Sequence, residues 1–252
     1  MDEPSIIIIV CLTFLLAGTI KGIIGLGLPT VSLVILSLAI NLPTAMALLL
    51  IPSFVTNVWQ ATNGGNGKAV LERIWPFLVM ATVTVWIGSK SLRQIDLIWL
   101  TALLGLLLVI YASTYLLGFK LEIKGRKATP IGVMIGLING VFTGMTGSFV
   151  VPGVMYLQAL GFSRDALIQS MGMLFTVSTI ALGIALKQND FLTAELGILS
   201  GVALIPAILG MIVGQNIRKR LSEHLFRRVF FISLILLGIY MCLNTLIDVN
   251  MY

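Results

Sequence analysis

Apolar runs separated by short polar breaks dominate the chain, and they recur in the same order in two halves. The first half has a broken run at 5–40 and continuous runs at 43–62, 71–89 and 97–117. The second half has a broken run at 130–161 and continuous runs at 165–186, 193–215 and 229–247. Runs of about 20 apolar residues are typical of membrane-spanning helices. The pattern predicts an all-α, polytopic transmembrane protein with two repeats, 1–118 and 129–252, joined by a polar connector at 119–128.

The two broken runs predict helical hairpins that return to the side on which they entered. The run 130–161 is too long for one ordinary span and too short for two full ones, and a glycine-rich break lies near its middle. Irregular backbone at membrane depth is tolerated only where protein or a water-filled cavity surrounds it. We therefore expect two short helices in each run, with the second helix beginning near Thr30 and near Ser148.

The basic residues predict the orientation of the chain. If the hairpins return and the other runs cross, twelve of the sixteen basic residues fall on one side: Lys68, Arg73, Lys120, Lys124, Arg126, Lys127, Arg164, Arg218, Lys219, Arg220, Arg227 and Arg228. The other side has three, Lys90, Arg93 and Lys187. Because cytoplasmic loops carry the excess of Lys and Arg, the first side is predicted to be cytoplasmic. Both termini are then extracytoplasmic.

Three crossings per half place the second half upside down relative to the first. A weak internal repeat agrees with this, since Gly18, Lys21 and Gly22 align in order with Gly136, Asn139 and Gly140 at a shift of 118 residues. Inverted repeats with broken helices are typical of secondary transporters, whose site lies near the bilayer midplane. The pattern therefore predicts a midplane site where the two hairpins meet.

Composition narrows the classes of partner. Of the 252 residues, 58% are hydrophobic and 10% are charged, against about 25% charged in an ordinary soluble protein. The sequence leaves no room for a sizeable soluble domain, and the lipid bilayer is the expected surrounding. The net charge of +6 is interpreted as cytoplasmic anchors, so no nucleic-acid partner is expected.

Lys21 is the most informative polar residue because it lies deep in the first apolar run. A charge at the bilayer centre costs roughly 2.5–3.5 kcal/mol or more, and neither hairpin has an acidic residue in its apolar stretch. The functional interpretation is an ammonium that pairs with a bound anion, with Asn139 offering an amide donor from the other half. The alternative is that Lys21 snorkels to the interface or is deprotonated when the site is empty.

The breaks supply the other candidate ligands of an anion. Helix N-termini favour anions through unpaired N–H groups and a partial positive charge, and nearby hydroxyls such as that of Thr143 add donors. The predicted substrate-binding residues of the hairpins are Gly22, Gly25, Gly27, Pro29, Thr30, Gly140, Gly144, Thr146, Gly147 and Ser148. The alternatives are close helix packing for the glycines and helix capping for the hydroxyls.

Polar residues in the helices after the hairpins are weaker candidates. Thr56 and Asn57 lie in one such run, and Gln169 and Ser170 lie in its counterpart. Facing a central cavity and bonding between helices are equally compatible with their positions. We include all four in the predicted substrate site.

The sequence lacks the motifs of several other chemistries. It has no Gly-rich phosphate loop ending in Lys-Ser/Thr, so no ATP hydrolysis is expected. Its one histidine, His224, and its two separated cysteines do not suggest a metal site. We predict no catalytic residue, no metal and no cofactor, and no enzyme activity. A coupling proton or ion and a homo-oligomer remain open.

The two glycine-rich breaks resemble those of the TauE/SafE family of membrane transporters, also called the sulfite exporter or TSUP family. The stretches that carry the resemblance are Gly22-Ile-Ile-Gly25-Leu-Gly27-Leu-Pro29, Gly140-Val-Phe-Thr-Gly144-Met-Thr-Gly147-Ser-Phe-Val-Val-Pro152 and Leu160-Gly-Phe-Ser-Arg164-Asp-Ala-Leu. Both breaks lack the run of consecutive glycines that many members carry. The resemblance implies export or uptake of sulfite, sulfoacetate or another organosulfonate across a bacterial inner membrane.

Residues and resemblance together predict a secondary transporter of a small sulfur-containing anion, with alternating access to a midplane site. The alternatives are an anion channel and a transporter of another small organic anion. A membrane scaffold without transport would leave Lys21 and the breaks unexplained.

Overall fold

The computed structural model describes residues 3–119, 121–123, 125–218 and 222–250. Within these ranges the chain is helical, with a short 3₁₀ turn at Gly125–Lys127 in the connector. The α-helices are α1 Glu3–Ile24, α2 Leu28–Ala39, α3 Leu42–Leu48, α4 Leu50–Thr62, α5 Gly67–Val83, α6 Val85–Ser89, α7 Ser91–Gln94, α8 Leu97–Leu116, α9 Ala128–Thr146, α10 Gly153–Ala159, α11 Arg164–Gln188, α12 Ala194–Arg218 and α13 Glu223–Asn250.

Seven helical stretches of the described chain are long and apolar enough to cross a membrane. They are α1, the stretch from α5 to α7, and α8, α9, α11, α12 and α13. The pair α3 and α4 is bent by 46° at Leu49 and brings the number to eight if it is one broken span. The prediction of an all-α, multi-pass membrane protein is confirmed.

Each broken run forms one long helix and one short helix, so the expectation of two short helices is wrong for the first helix of each run. Helix α1 has 22 residues, or about 33 Å at 1.5 Å per residue, whereas α2 has 12. Helix α9 has 19 residues and α10 has seven. Helix α1 continues past Lys21 to Ile24, and Gly25 and Gly27 with positive φ follow it.

The second helix of the first run begins near the expected residue, and that of the second run begins later than expected. Helix α2 begins at Leu28, two residues before Thr30. Helix α10 begins at Gly153, five residues after Ser148, because the chain from Ser148 stays non-helical up to Pro152. A proline has no N–H to donate within a helix and is favoured at a helix start.

The short helices return toward the ends at which the long ones begin. The Tyr156 hydroxyl of α10 donates to the carbonyl of Ala128, the first residue of α9, at 3.0 Å. Just before α9, the N–H of Ile123 donates to the carbonyl of Ala159 at 2.8 Å. In the first run, Ile6 of α1 and Ile40 after α2 line the same surface cleft. Both runs thus have the geometry of hairpins.

Long helices from opposite halves pack in parallel through glycines. A Cβ added at Gly18 of α1 would meet the backbone of Ala207 in α12, and one added at Gly22 would meet the Met211 carbonyl. Because a later residue of α1 contacts a later residue of α12, the two helices run in the same direction. Helix α9 packs in the same way against α5 and α6. Its successive glycines Gly136, Gly140 and Gly144 contact successively later residues of α5 and α6.

The remaining long helices pair in antiparallel fashion with their counterparts. In the pair α4 and α11, Gly172 faces Ala61 while Gly183 faces Leu50. In the pair α8 and α13, Gly105 and Gly238 each face the other's carbonyl oxygen. The α4–α11 pair lies beside both hairpins and forms the frame of the site described next.

Basic side chains near the helix ends bind backbone carbonyls or a carboxylate. Arg73 donates to the Leu160 carbonyl at 2.8 Å, and Arg227 donates to the Ile24 carbonyl at 3.1 Å. Lys120, Lys124, Lys219 and Arg220, which entered the orientation prediction, lie outside the described residues, and the Arg126 side chain is likewise not described. Which end of the bundle faces the cytoplasm stays a prediction.

Candidate functional site

Lys21 is buried in the last turn of α1, with 4% of its surface exposed. Its Nζ donates to Thr56 Oγ1 at 3.0 Å and to Asn57 Oδ1, both on α4. These two acceptors are uncharged. The structure therefore joins three of the predicted site residues around the Lys21 amine, and neither of its hydrogen-bond partners carries a charge.

A stripe of buried polar residues on α4 extends this site. Ser53, Thr56, Asn57 and Gln60 follow the i, i+3, i+4, i+7 spacing of one helix face, and all four are buried. Among the described residues, Ser53 Oγ and Asn57 Nδ2 have no hydrogen-bond partner. Ser53 and Gln60 are not among the residues predicted from sequence, although their spacing from Thr56 and Asn57 identifies them.

Helix α11 brings a further polar atom to the same level. Ser178 is fully buried, and its Oγ has no partner in the described part of the chain. The antiparallel register of α4 and α11 places Ser178 opposite Val55, between the levels of Ser53 and Asn57. Ser178 lies between Thr176 and Thr179 in the sequence, and nothing in that local pattern distinguishes it from these two hydroxyl residues.

Asn139 occupies the corresponding position in the second hairpin, where it binds backbone. Its Oδ1 accepts the N–H of Gly153, the first residue of α10, at 2.8 Å. Its Nδ2 is buried and has no partner among the described residues. Gly153 in turn faces the side chain of Leu174 on α11. Lys21 thus contacts α4, and Asn139 lies beside α11 through Gly153.

The sequence matches the family described as Sulfite exporter TauE/SafE over residues 10–241. The chain belongs to the TauE/SafE family. The match covers both hairpins and the α4–α11 pair, and it confirms the resemblance noted from the glycine-rich breaks. No curated protein and no solved structure matches the chain. Family and helices together identify a multi-pass membrane protein of a transporter family.

The glycines of this TauE/SafE chain divide into two groups. Gly27, with φ of 112°, and Gly147, with φ of 73°, have left-handed backbone, which glycine adopts without strain. Gly25 also has positive φ, and Pro29 lies in the first turn of α2, followed by the buried Thr30. These residues shape the breaks.

The second group packs helices together. Gly22 faces the backbone of α12, Gly140 faces α5, and Gly144 faces α6, each without room for a Cβ. This position agrees with the packing alternative. Direct contact of these three glycines with a substrate stays a prediction.

Hydroxyls of the second break bind its backbone. Thr143 Oγ1 donates to the Ser148 carbonyl at 3.0 Å, and Thr146 Oγ1 donates to the Phe142 carbonyl at 2.8 Å. Thr146 Oγ1 also accepts the N–H of Ser148 at 3.2 Å. The Thr143 and Thr146 bonds to Ser148 connect the end of α9 to the break, in agreement with a structural role.

Gln169 and Ser170 make different contacts from Thr56 and Asn57. Gln169 donates through Nε2 to the Ala61 carbonyl at 2.8 Å and accepts the Asn66 N–H at 3.0 Å. Ser170 donates to the Leu167 carbonyl of its own helix at 2.8 Å. Gln169 therefore bonds between helices, as one of the two alternatives has it, and Ser170 bonds within its own helix. Contact of these residues, or of Thr56 and Asn57, with a substrate stays a prediction.

A cleft of about 450 Å³ lies between α4 and α12 and reaches Thr56. Its lining is mainly apolar, with Trp59 and Ile208 on its walls and with Thr62 and Gln215 toward the ends of the two helices. Thr56 is thus the residue of the cleft lining that also accepts a hydrogen bond from the buried Lys21.

At the end of the bundle opposite to Thr62 and Gln215, side chains of α6 and α7 bind residues at the C-terminal end of α11. Trp86 Nε1 donates to Gln188 Oε1 at 2.7 Å. Arg93 forms an ion pair with Asp190 at 2.5 Å and donates to the Asn189 carbonyl at 3.2 Å. We call these residues the α7–α11 latch.

Proposed function

We propose that this TauE/SafE protein is a secondary transporter of small sulfur-containing anions, such as sulfite, sulfoacetate or another organosulfonate. The observation that carries the proposal is the buried Lys21 side chain, whose two hydrogen-bond acceptors are neutral. A buried charge is expensive unless an opposite charge accompanies it. A bound oxyanion supplies that charge.

The polar atoms around Lys21 suit an oxyanion. Asn57 Nδ2 is a donor without a partner among the described residues, and the hydroxyls of Ser53 and Ser178 are free to donate in the same part of the structure. Sulfite and sulfonate oxygens are acceptors only, so several donors around one ammonium match their chemistry. Hydrogen bonds between donors and an ionised acceptor are also stronger than neutral ones.

Alternating access is supported by the pairing of the helices. The first hairpin packs on α12 of the second half, and the second hairpin packs on α5 and α6 of the first half. The counterparts α4 and α11 pair with each other, as do α8 and α13. Two inverted halves account for this exchange of partners. A cleft at one end of the bundle and the α7–α11 latch at the other suit a state open to one side.

The experiment is anion flux in proteoliposomes that contain the purified protein. Wild-type flux of sulfite or sulfoacetate should saturate and should be accelerated by the same anion on the opposite side. Lys21→Met should reduce flux by more than about tenfold, because losing one charge of a buried charge pair costs about 2–5 kcal/mol or more. Lys187→Met is the matched control, since Lys187 is exposed and should leave flux unchanged.

The outcomes separate the alternatives. Flux that neither saturates nor shows counter-transport identifies an anion channel. Flux of carboxylates in place of sulfur oxyanions identifies a transporter of another organic anion. No flux of any such anion, or equal flux in Lys21→Met and Lys187→Met, contradicts the proposed site. The proposal also includes a bacterial inner membrane with both termini outside the cytoplasm.

A further inference from the structure

A second cleft, between the end of α8 and the start of α13, combines basic and aromatic side chains with apolar ones. Its volume is about 430 Å³. Tyr115 and Leu116 line it from α8, and His224, Arg228 and Ile232 line it from α13. Within the described ranges, no side chain forms an ion pair with Arg228. The cleft therefore offers a guanidinium whose charge no described carboxylate neutralises.

The cleft lies at the ends of two apolar spans. The span of α8 ends at Leu116, and that of α13 begins at His224. From His224 to Ile232, α13 rises about 12 Å at 1.5 Å per residue. The basic lining thus lies where the spans meet the headgroup level of a membrane, and Ile232 lies farther toward the hydrocarbon. Tyr115 agrees with this placement, because tyrosine is enriched at membrane interfaces.

Arg228 lies on a face of α13 that is otherwise apolar and exposed. Leu225, Val229, Ile232 and Leu236 follow the i, i+4, i+7, i+11 spacing of one helix face, and all four are exposed. Such a face is typical of contact with lipid chains in a membrane-spanning helix. An occupant of the cleft therefore has to satisfy a cation at one end and an apolar surface beside it.

We infer that this cleft binds the headgroup of an anionic phospholipid, with the phosphate on Arg228 and the acyl chains along the exposed face of α13. A guanidinium binds phosphate through paired N–H donors, and the imidazole of His224 and the hydroxyl of Tyr115 add donors in the same cleft. Basic pockets between transmembrane helices bind anionic headgroups in this way. The site does not involve Lys21 and does not depend on which substrate is transported.

A lipid in this cleft also stabilises the break between α1 and α2. Arg227, the neighbour of Arg228, donates to the carbonyl of Ile24, the last residue of α1, at 3.1 Å. One turn later, the Phe230 ring lies 3.4 Å from the position of a Cβ added at Gly27. Because these contacts come from the same part of α13 as Arg228, fixing that part to a headgroup restricts the motion of the break.

Native mass spectrometry of the purified protein tests the binding. Dioleoylphosphatidylglycerol, which is anionic, and dioleoylphosphatidylcholine, which has no net charge, are titrated separately. We expect the wild type to bind the anionic lipid more tightly. Arg228→Gln should weaken that binding at least about tenfold, the loss expected for hydrogen bonds to a charged group. Lys68→Gln is the matched control, since Lys68 is an exposed basic residue outside this cleft, and it should retain the wild-type affinity.

Three results would overturn the inference. Equal binding of the two lipids, or an equal loss in Arg228→Gln and Lys68→Gln, means that Arg228 only extends to water, as long basic side chains do at membrane interfaces. Glycerol 3-phosphate that binds as tightly as the lipid assigns the cleft to a soluble phosphate. Amide exchange in the segment 24–28 should slow when the anionic lipid binds the wild type. Unchanged exchange there contradicts the stabilisation of the break.

Discussion

Gly214→Ala perturbs the parallel contact between α12 and α1 that positions Lys21. A Cβ at Gly214 would lie 2.9 Å from the carbonyl carbon of Thr19 and 3.0 Å from the Cα of Gly22. Carbon atoms in favourable contact are about 3.5–4.0 Å apart, so the two helices must separate by about 0.5–1 Å. The neighbour of Gly22 in the chain is Lys21, and the separation therefore moves the ammonium relative to α4.

The expected loss of stability follows from comparison with Gly201→Ala on the same helix. A Cβ at Gly201 would lie 3.9 Å from the Ile51 side chain, an ordinary contact. Both substitutions gain about 1 kcal/mol of helix propensity, so this term cancels. Overpacking costs about 1–3 kcal/mol, so Gly214→Ala should be less stable than Gly201→Ala by that amount.

Thermal unfolding of the purified protein measures the difference. About 2–4 °C per kcal/mol applies to a chain of this size, so the midpoint of Gly214→Ala should lie about 2–12 °C below that of Gly201→Ala. Sulfoacetate flux in proteoliposomes should fall in Gly214→Ala and stay at the wild-type level in Gly201→Ala. Midpoints that agree within about 1 °C would refute the close parallel packing of α1 and α12.

Three further predictions concern hydrogen bonds and the latch. Arg93→Gln should lower the free energy of unfolding by at most about 1 kcal/mol, because the ion pair with Asp190 is exposed. Amide hydrogen exchange in the segment between α11 and α12 should nevertheless become faster. Unchanged exchange would contradict a stabilising role of the α7–α11 latch. Gln169→Leu removes the bonds to the Ala61 carbonyl and the Asn66 N–H. Because Asn66 is exposed and water can replace its partner, we expect a loss of about 0.5–1.5 kcal/mol of unfolding free energy per bond and a lower unfolding midpoint measured calorimetrically. Asn139→Ala removes the acceptor of the Gly153 N–H and should speed amide exchange at the start of α10, whereas slow exchange there would show that another group replaces it.

How much of the site was predictable is clearest for Lys21 and Gln169. Lys21 stands out in sequence because a lone charge in an apolar run is costly whatever surrounds it. Its acceptors on α4 are 35 and 36 residues away, and no local pattern links them. Gln169 is also conspicuous in the sequence, as a polar residue in an apolar run. Whether it faces a cavity or another helix depends on the register of α11 against α4. In the structure that register brings Gln169 to the Ala61 carbonyl.

The helix ends likewise combine a feature that the sequence predicts with one that it does not. Glycines and prolines in each broken run predict that a break exists, because they interrupt helical hydrogen bonding. The position of the break depends on competing local bonds, such as those of Thr143 and Thr146 to backbone. The chain stays non-helical from Gly147 to Pro152, and α10 begins at Gly153.

The sequence by itself determined the membrane-embedded, all-α class, the two broken runs and the TauE/SafE resemblance. Each of these follows from local properties, namely apolar length, charge and glycine content, which act without regard to distant partners. Only the tertiary structure decided which polar residues lie together. Close contacts of Gly22 with α12 and of Gly172 with α4 set the registers, and those registers place the Lys21 side chain against Thr56, which also lines an apolar cleft.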